Sequence, residues 1–172
     1  MEAGTEIAAA KPSATMPLER PQILLAGQGG TVEKGMGIVE STHHGVGPGL
    51  VHRMTAALEH RGPDAQGVWT EGGIGLGSRR LAVIDLSDRA AQPMANEDGA
   101  IRVVFNGEIY NYLELREQLK PYPFRTSSDT EVLLAAYEKW GTACVDHLQG
   151  MFAFAIWDER NNLLFCARDR FG

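Results

Sequence analysis

Cysteine is scarce in this sequence: there are two in 172 residues, Cys144 and Cys166. Two thiols cannot build a disulfide framework or a cysteine-rich zinc site. Long apolar runs are also missing. None approaches the ~20 residues of a membrane helix. The longest early run, Ile23-Leu24-Leu25-Ala26, is shorter than the ~7–15-residue core of a signal peptide. No membrane partner is expected, and the cytoplasm is the default location. Basic blocks are lacking too. Sixteen Lys and Arg stand against 22 Asp and Glu, a net charge of −6, which excludes nucleic acid as an expected partner. What remains is the composition of an ordinary globular protein, 44% apolar and 22% charged, of a length that suits one domain, or one domain and a tail.

Residues 1–35 are rich in Ala, Gly, Pro, Ser and Thr and follow neither helical nor strand period, so they are expected to be a disordered or spurious extension. The texture changes after residue 35. Leu50, Met54 and Leu58 recur every four residues with Val51 beside them, one apolar face, and the pattern predicts a helix stopped by Gly62 and Pro63. Ile74 to Leu86 and Ile101 to Phe105 read as strands. Tyr110 to Leu119 reads as a helix. Ser128-Asp129-Thr130-Glu131 fits a capping box in front of a second amphipathic helix that Gly141 ends. Met151 to Trp157 and Leu163 to Ala167 suggest a hairpin. Helices in the middle with strands on both sides favour an α+β fold with antiparallel sheets over a doubly wound βαβ fold.

Single motifs are ambiguous. Gly72 to Gly77 resembles a phosphate loop, but no helix follows, and alternating glycines also suit a strand packed against another backbone. His43 and His44 are adjacent and diverge. His52 and His60 would lie two turns apart on one helix face, which is a poor metal pair. Asn106-Gly107-Glu108 is either a turn or a pair of converging N–H donors, the requirement of an oxyanion hole. Arg80 is either a solvated charge or a carboxylate clamp. Asp129 either satisfies a helix dipole or pairs with an amine. Cys144 and Cys166 sit in apolar patterns and read as core.

Taken together, His60-Arg61-Gly62-Pro63-Asp64, Arg79 to Ser87, Gln92-Pro93-Met94, Asn106-Gly107-Glu108-Ile109-Tyr110-Asn111, Ser128 to Val132, Gly150 to Asp158 and Ala167 to Gly172 appear in an order that resembles the N-terminal glutaminase domain of glutamine-hydrolysing asparagine synthetases, class II amidotransferases. The resemblance covers residues 36–172. It implies an α/β/β/α sandwich of two antiparallel sheets, like that of the Ntn hydrolases, and a domain incomplete at its C-terminus. It further implies hydrolysis of glutamine to glutamate and ammonia. By match of position, Arg80 would hold the α-carboxylate of glutamine. Asp129 would hold its α-amino group with the help of Val83 and Glu108, and Asn106 and Gly107 would form the oxyanion hole. No cofactor is implied for this domain; ATP and Mg are expected only in a synthetase domain, the partner in cis or trans that would turn aspartate into asparagine. A homodimer is left open.

The resembling family carries its nucleophile as an N-terminal cysteine. Here Met36 occupies that position, or else Met36 is a start after which the cysteine is missing; a thioether has no proton to lose. The expectation is a glutaminase-type domain that does not hydrolyse glutamine. The alternative is an amidotransferase-like scaffold that has lost the nucleophile.

Overall fold

Two nine-residue segments, Ile101–Ile109 and Gly150–Asp158, are rich in apolar residues. They pair antiparallel along their whole length, Ile101 opposite Asp158 and Ile109 opposite Gly150. This ladder is the backbone of the fold in the computed structural model. Residues 7–10, 22–24, 37–41, 48–62, 65–71, 73–80 and 91–170 are described, with 7–10, 22–24, 37–41, 61 and 80 described in backbone only. The elements are β1 (Ile7–Ala10), β2 (Gln22–Leu24), β3 (Gly37–Ser41), α1 (Pro48–Ala56), a 3-10 turn (Glu59–Arg61), β4 (Ala65–Glu71), β5 (Ile74–Arg80), β6 (Met94–Ala95), β7 (Ile101–Ile109), α2 (Tyr112–Gln118), α3 (Asp129–Trp140), a second 3-10 segment (Gly141–His147), β8 (Gly150–Asp158) and β9 (Leu163–Arg168).

These strands form two antiparallel sheets, one in the order β1-β9-β8-β7-β6 and the other β2-β3-β5-β4. Period-two alternation gives β7 two apolar faces. Ile101, Val103, Phe105 and Ile109 pack with Phe152, Phe154 and Phe165 and with Val132, Leu133 and Leu134 of α3. Val104 joins Ala155, Trp157, Leu164 and Cys166 against Ile74 and Leu76 of β5. The sheets therefore share one core, while α2 and α3 cover the far side of the first sheet. Each fully buried aliphatic side chain here contributes roughly 1.5–3 kcal/mol.

The second sheet is covered by α1. A Cβ at Gly77 would lie 2.2 Å from Thr55 Oγ1, so glycine is what lets helix and strand approach. Arg79 Nε then donates to Thr55 O (3.3 Å). The order of layers is α1, second sheet, first sheet, α2 with α3. This is the α/β/β/α sandwich the resemblance implies.

Several local expectations change. The first helix ends at Ala56, not at Gly62; it buries Val51, which the pattern included, and Thr55, which it did not, while Leu50 and Met54 are only partly buried. The close approach at Gly77 selects that face. His52 and His60 consequently do not share a helix face. The capping box is half formed. Ser128 Oγ accepts from Thr130 N (3.1 Å), but Glu131 does not return to Ser128. Its buried carboxylate instead accepts from Arg125 N (2.8 Å), Thr126 N (2.7 Å) and Thr126 Oγ1 (2.7 Å). Charged acceptors are used this way where backbone donors would otherwise be buried unpaired. Within 1–35, where no strand was expected, β1 pairs with β9 and β2 with β3. Such edge strands are held by the neighbour's ladder, so no period in their own sequence announces them. The strand expected over 74–86 runs to Arg80, and 81–86 lie outside the described residues.

Candidate active site

Asn106-Gly107-Glu108 is not a turn after a strand; it lies inside β7. The residues on this strand direct their backbone polar groups alternately to β8 and to the opposite edge. Along that edge, Ile101 N donates to Asn96 Oδ1 (3.0 Å), Phe105 N to Gln92 Oε1 (2.7 Å) and Ile109 N to Asp129 Oδ2 (3.2 Å). Val103 faces Met94 of β6, which ends the partner strand. Gly107 belongs to the same odd-numbered row. It stands opposite Phe152, but Phe152 is committed to the other side: its N–H donates to Asp169 Oδ2 (2.9 Å) and its carbonyl accepts from Asp169 N (2.8 Å). The Gly107 N–H is thus aimed at the open edge, flanked by two N–H groups that side chains have already taken.

Glycine is required at position 107. Its φ is +146°, and a Cβ would lie 2.1 Å from Met151 O and 2.6 Å from Phe152 Cα. The neighbouring Asn106 has the parity of Val104 and so belongs to the face turned toward the second sheet. Its side-chain amide makes no hydrogen bond among the described residues. One backbone N–H and one carboxamide, adjacent and uncommitted, are a suitable donor pair for a developing negative oxygen.

Asp129 is buried and is the first residue of a twelve-residue helix. The N-terminal end of the helix favours its negative charge by about 0.3–1 kcal/mol, more when partly buried. Holding Ile109 N with one oxygen ties that carboxylate to β7, two residues beyond Gly107. The second sheet reaches the same place through Gln92. Ser78 Oγ of β5 donates to Gln92 O (2.8 Å), and Gln92 Nε2 donates to Thr130 Oγ1 (3.3 Å) beside Asp129. Gly67 makes room for this crossing, since a Cβ there would meet Gln92 O at 1.7 Å. Gly37, the first residue of β3, pairs with Ser78.

Of the residues singled out from the sequence, Asn106, Gly107 and Asp129 are brought together, and Glu108 continues the strand opposite Met151. Arg80 closes β5 opposite Ala65, two residues past Ser78; its side chain, like Met36 and Val83, lies outside the described residues. Gln92, Asp169 and Ser78 carry no role in the reading of the sequence. The Gln92-Pro93 pair between two strands was the signal that could have raised Gln92. Both thiols are core: burial pushes Cys144 up to about 12 and Cys166 up to about 11. Neither supplies a thiolate at neutral pH. Among the described residues no group of three or more His, Cys, Asp or Glu stands together as a ligand set for a metal, and no helix is long and apolar enough to cross a membrane.

Two antiparallel sheets sharing one core, with helices on both outer sides, define an α/β/β/α sandwich fold. Glutamine phosphoribosylpyrophosphate amidotransferase from B. subtilis shares it with a TM-score of 0.60 at 19% identity, over 76% of this chain and 41% of that one. The family described as the glutamine amidotransferase domain matches residues 35–172, and the chain belongs to that family. Glutamine-hydrolyzing asparagine synthetase 1 of Bacillus subtilis (strain 168) is 47% identical over 125 residues, 72% of this chain and 20% of that protein. Asparagine synthetase 3 of the same organism is 49% identical over 124 residues, 70% of this chain and 20% of its own length. Amidase chry2 of Gibberella zeae is 44% identical over 118 residues, 67% of this chain and 18% of that protein. The chain therefore spans about a fifth of the length of these relatives.

Proposed function

We propose that this domain binds glutamine as the amide-nitrogen donor of an asparagine synthetase-type reaction, and that with Met36 at the nucleophile position it does not hydrolyse it. The observation that carries the binding half is the uncommitted Asn106–Gly107 donor pair beside the buried Asp129 carboxylate. In this reading Asp129 takes the α-ammonium group and Arg80 the α-carboxylate, while Glu108 and the backbone at Val83 complete the amine end.

The chemistry then follows from what a nucleophile at position 36 must do. A thiolate there adds to the amide carbon, and the oxygen gathers negative charge opposite the Gly107 N–H and the Asn106 amide. The carbon–nitrogen bond breaks as the nitrogen takes up the proton the thiol gave up, ammonia leaves, and water releases glutamate from the thioester and regenerates the thiol. A methionine sulfur has no S–H to ionise and would give a sulfonium, so the sequence stops before the first bond forms. The ammonia acceptor, and the ATP and Mg that would activate aspartate, belong to the remaining four-fifths of the relatives' length. The scaffold reading has less support, because a purely structural domain needs no uncommitted donor pair at this edge.

The test is a glutaminase assay by glutamate release. The chain as it stands is expected to release none. Met36→Cys in a chain starting at that residue is expected to restore release. Removing residues 1–35 also strips β1 and β2 from their sheets, so a far-UV spectrum must accompany the assay. Glutamate release by the unaltered chain would refute the inactivity, and a Met36→Cys chain that folds yet stays silent would refute the pocket.

A further inference from the structure

We propose that Gln92 is the positioning residue of the oxyanion hole: its carboxamide and carbonyl together set where the Gly107 N–H points, by joining β5, β7 and α3 at one residue. The functional meaning of this role rests on the glutamine reading above; the positioning itself does not.

Beyond the two-residue β6, β7 has no strand partner on its outer edge among the described residues. An unpaired edge is free to twist, and the direction of each N–H along it would be loosely set. Gln92 replaces the missing strand. Its Oε1 accepts from Phe105 N (2.7 Å) as a neighbouring carbonyl would, two residues before Gly107. Asp129 does the same two residues after, at Ile109 (3.2 Å). Gly107 is held between two pinned N–H groups and keeps its own free.

The other atoms of Gln92 decide where that pin is anchored. Nε2 donates to Thr130 Oγ1 (3.3 Å), next to Asp129 on α3, and the main-chain carbonyl accepts from Ser78 Oγ (2.8 Å) on the second sheet. A carboxamide is the side chain that can accept at one end and donate at the other with no net charge. A carboxylate here would stand one residue from Asp129 and oppose it electrostatically. Both hydrogen-bonding functions of the side chain are therefore in use, and both converge on elements of the candidate site.

The experiment uses the full chain, 15N-labelled, with Gln92→Met as a shape-matched variant lacking both hydrogen bonds and Gln92→Glu as the variant that keeps an acceptor for Phe105. Amide hydrogen exchange and chemical shifts are read for Ile101, Val103, Phe105, Gly107 and Thr130, before and after titration with glutamine. In Gln92→Met, Phe105 should exchange about tenfold faster, the loss of one hydrogen bond, and the Gly107 amide should shift. Ile101 and Val103, held by Asn96 and β6, should keep their protection. Gln92→Glu should return protection to Phe105. Unchanged Phe105 and Gly107 amides in Gln92→Met, or a uniform loss of protection along β7, would overturn the proposal. Glutamine provides a separate decision. If it fails to move Gly107 in the unaltered chain, the glutamine reading falls, while the exchange data still decide the role of Gln92. If it binds the unaltered chain but several-fold more weakly to Gln92→Met, both stand.

Discussion

Replacing Gly107 by alanine tests the geometry of the candidate oxyanion hole, because three glycines of this chain separate the causes of its cost. A Cβ at 107 meets Met151 O at 2.1 Å, Phe152 Cα at 2.6 Å and Phe152 Cβ at 2.9 Å, and φ is +146°. Gly141 has a positive φ of +60° but nothing within 4 Å of its Cβ. Gly150 is crowded, with Glu108 O at 2.0 Å, but has no positive φ. Gly141→Ala should then cost only the backbone penalty of a conformation, φ +60° and ψ −140°, that L residues avoid, about 1–3 kcal/mol. Gly150→Ala should cost about 1–3 kcal/mol, because β7 and β8 must separate against their shared hydrogen bonds. Gly107→Ala combines both causes and should cost about 2–5 kcal/mol. Urea unfolding followed by far-UV dichroism measures all three on one scale, with m-values checked for equality. A Gly107→Ala cost no larger than that of Gly141→Ala would refute the crowding at β8. The paired arrangement that turns the Gly107 N–H outward would fall with it.

Glu131→Gln should cost about 2–4 kcal/mol in the same unfolding assay, since an amide cannot present two acceptor oxygens to Arg125 N, Thr126 N and Thr126 Oγ1; a change below about 0.5 kcal/mol would contradict the buried role given to it. Tyr137→Phe, which removes the bond to Asp158 Oδ2 (3.0 Å), should cost about 1 kcal/mol, read as a shift of the urea midpoint. Burial raises Cys144 and Tyr122 to about 12 and Cys166 to about 11, from ordinary values of 9.0 for the thiols and 10.0 for the phenol. Raised acids stabilise the fold fully below their unfolded values and lose that contribution as pH climbs through the folded ones. Stability should therefore decline from about pH 9 toward pH 12, and a flat profile across pH 9–11 would count against burial of the thiols. Both thiols should also resist an aromatic disulfide reagent until denaturant is added, with a fast native reaction as the contrary result.

Much of the fold was legible because burial imposes period two on strands and period near four on helices. The antiparallel α+β class, the β8–β9 hairpin and α3 followed from those periods and from Gly141. Gly77 also sits in a strand under close packing, though against the side chains of Thr55 and Val51 and not against another backbone. The errors share one cause. Leu50 and Met54 looked like the middle of the buried stripe with Val51 beside it, yet the absent side chain at Gly77 makes Val51 and Thr55 the buried pair. Glu131 looked like a capping partner, yet the incoming loop at Arg125 and Thr126 offered it three donors at shorter reach. Asn106-Gly107-Glu108 looked like a turn, yet β8 and Asp169 keep it in the strand.

Residue identity alone settled the family-bearing motifs, the acidic and thiol-poor chemistry, and the presence of Asn106, Gly107, Arg80 and Asp129 as candidates, because residue type limits what each side chain can donate, accept or ionise. Three-dimensional packing decided which of these lie along one strand edge. Whether the Gly107 N–H is spent in the ladder or left for a ligand depends on Phe152 being bound by Asp169, and on Gln92 and Asp129 taking the flanking donors. Those partners come from four separate segments, and a hydrogen bond between distant residues leaves no period in the chain that makes it.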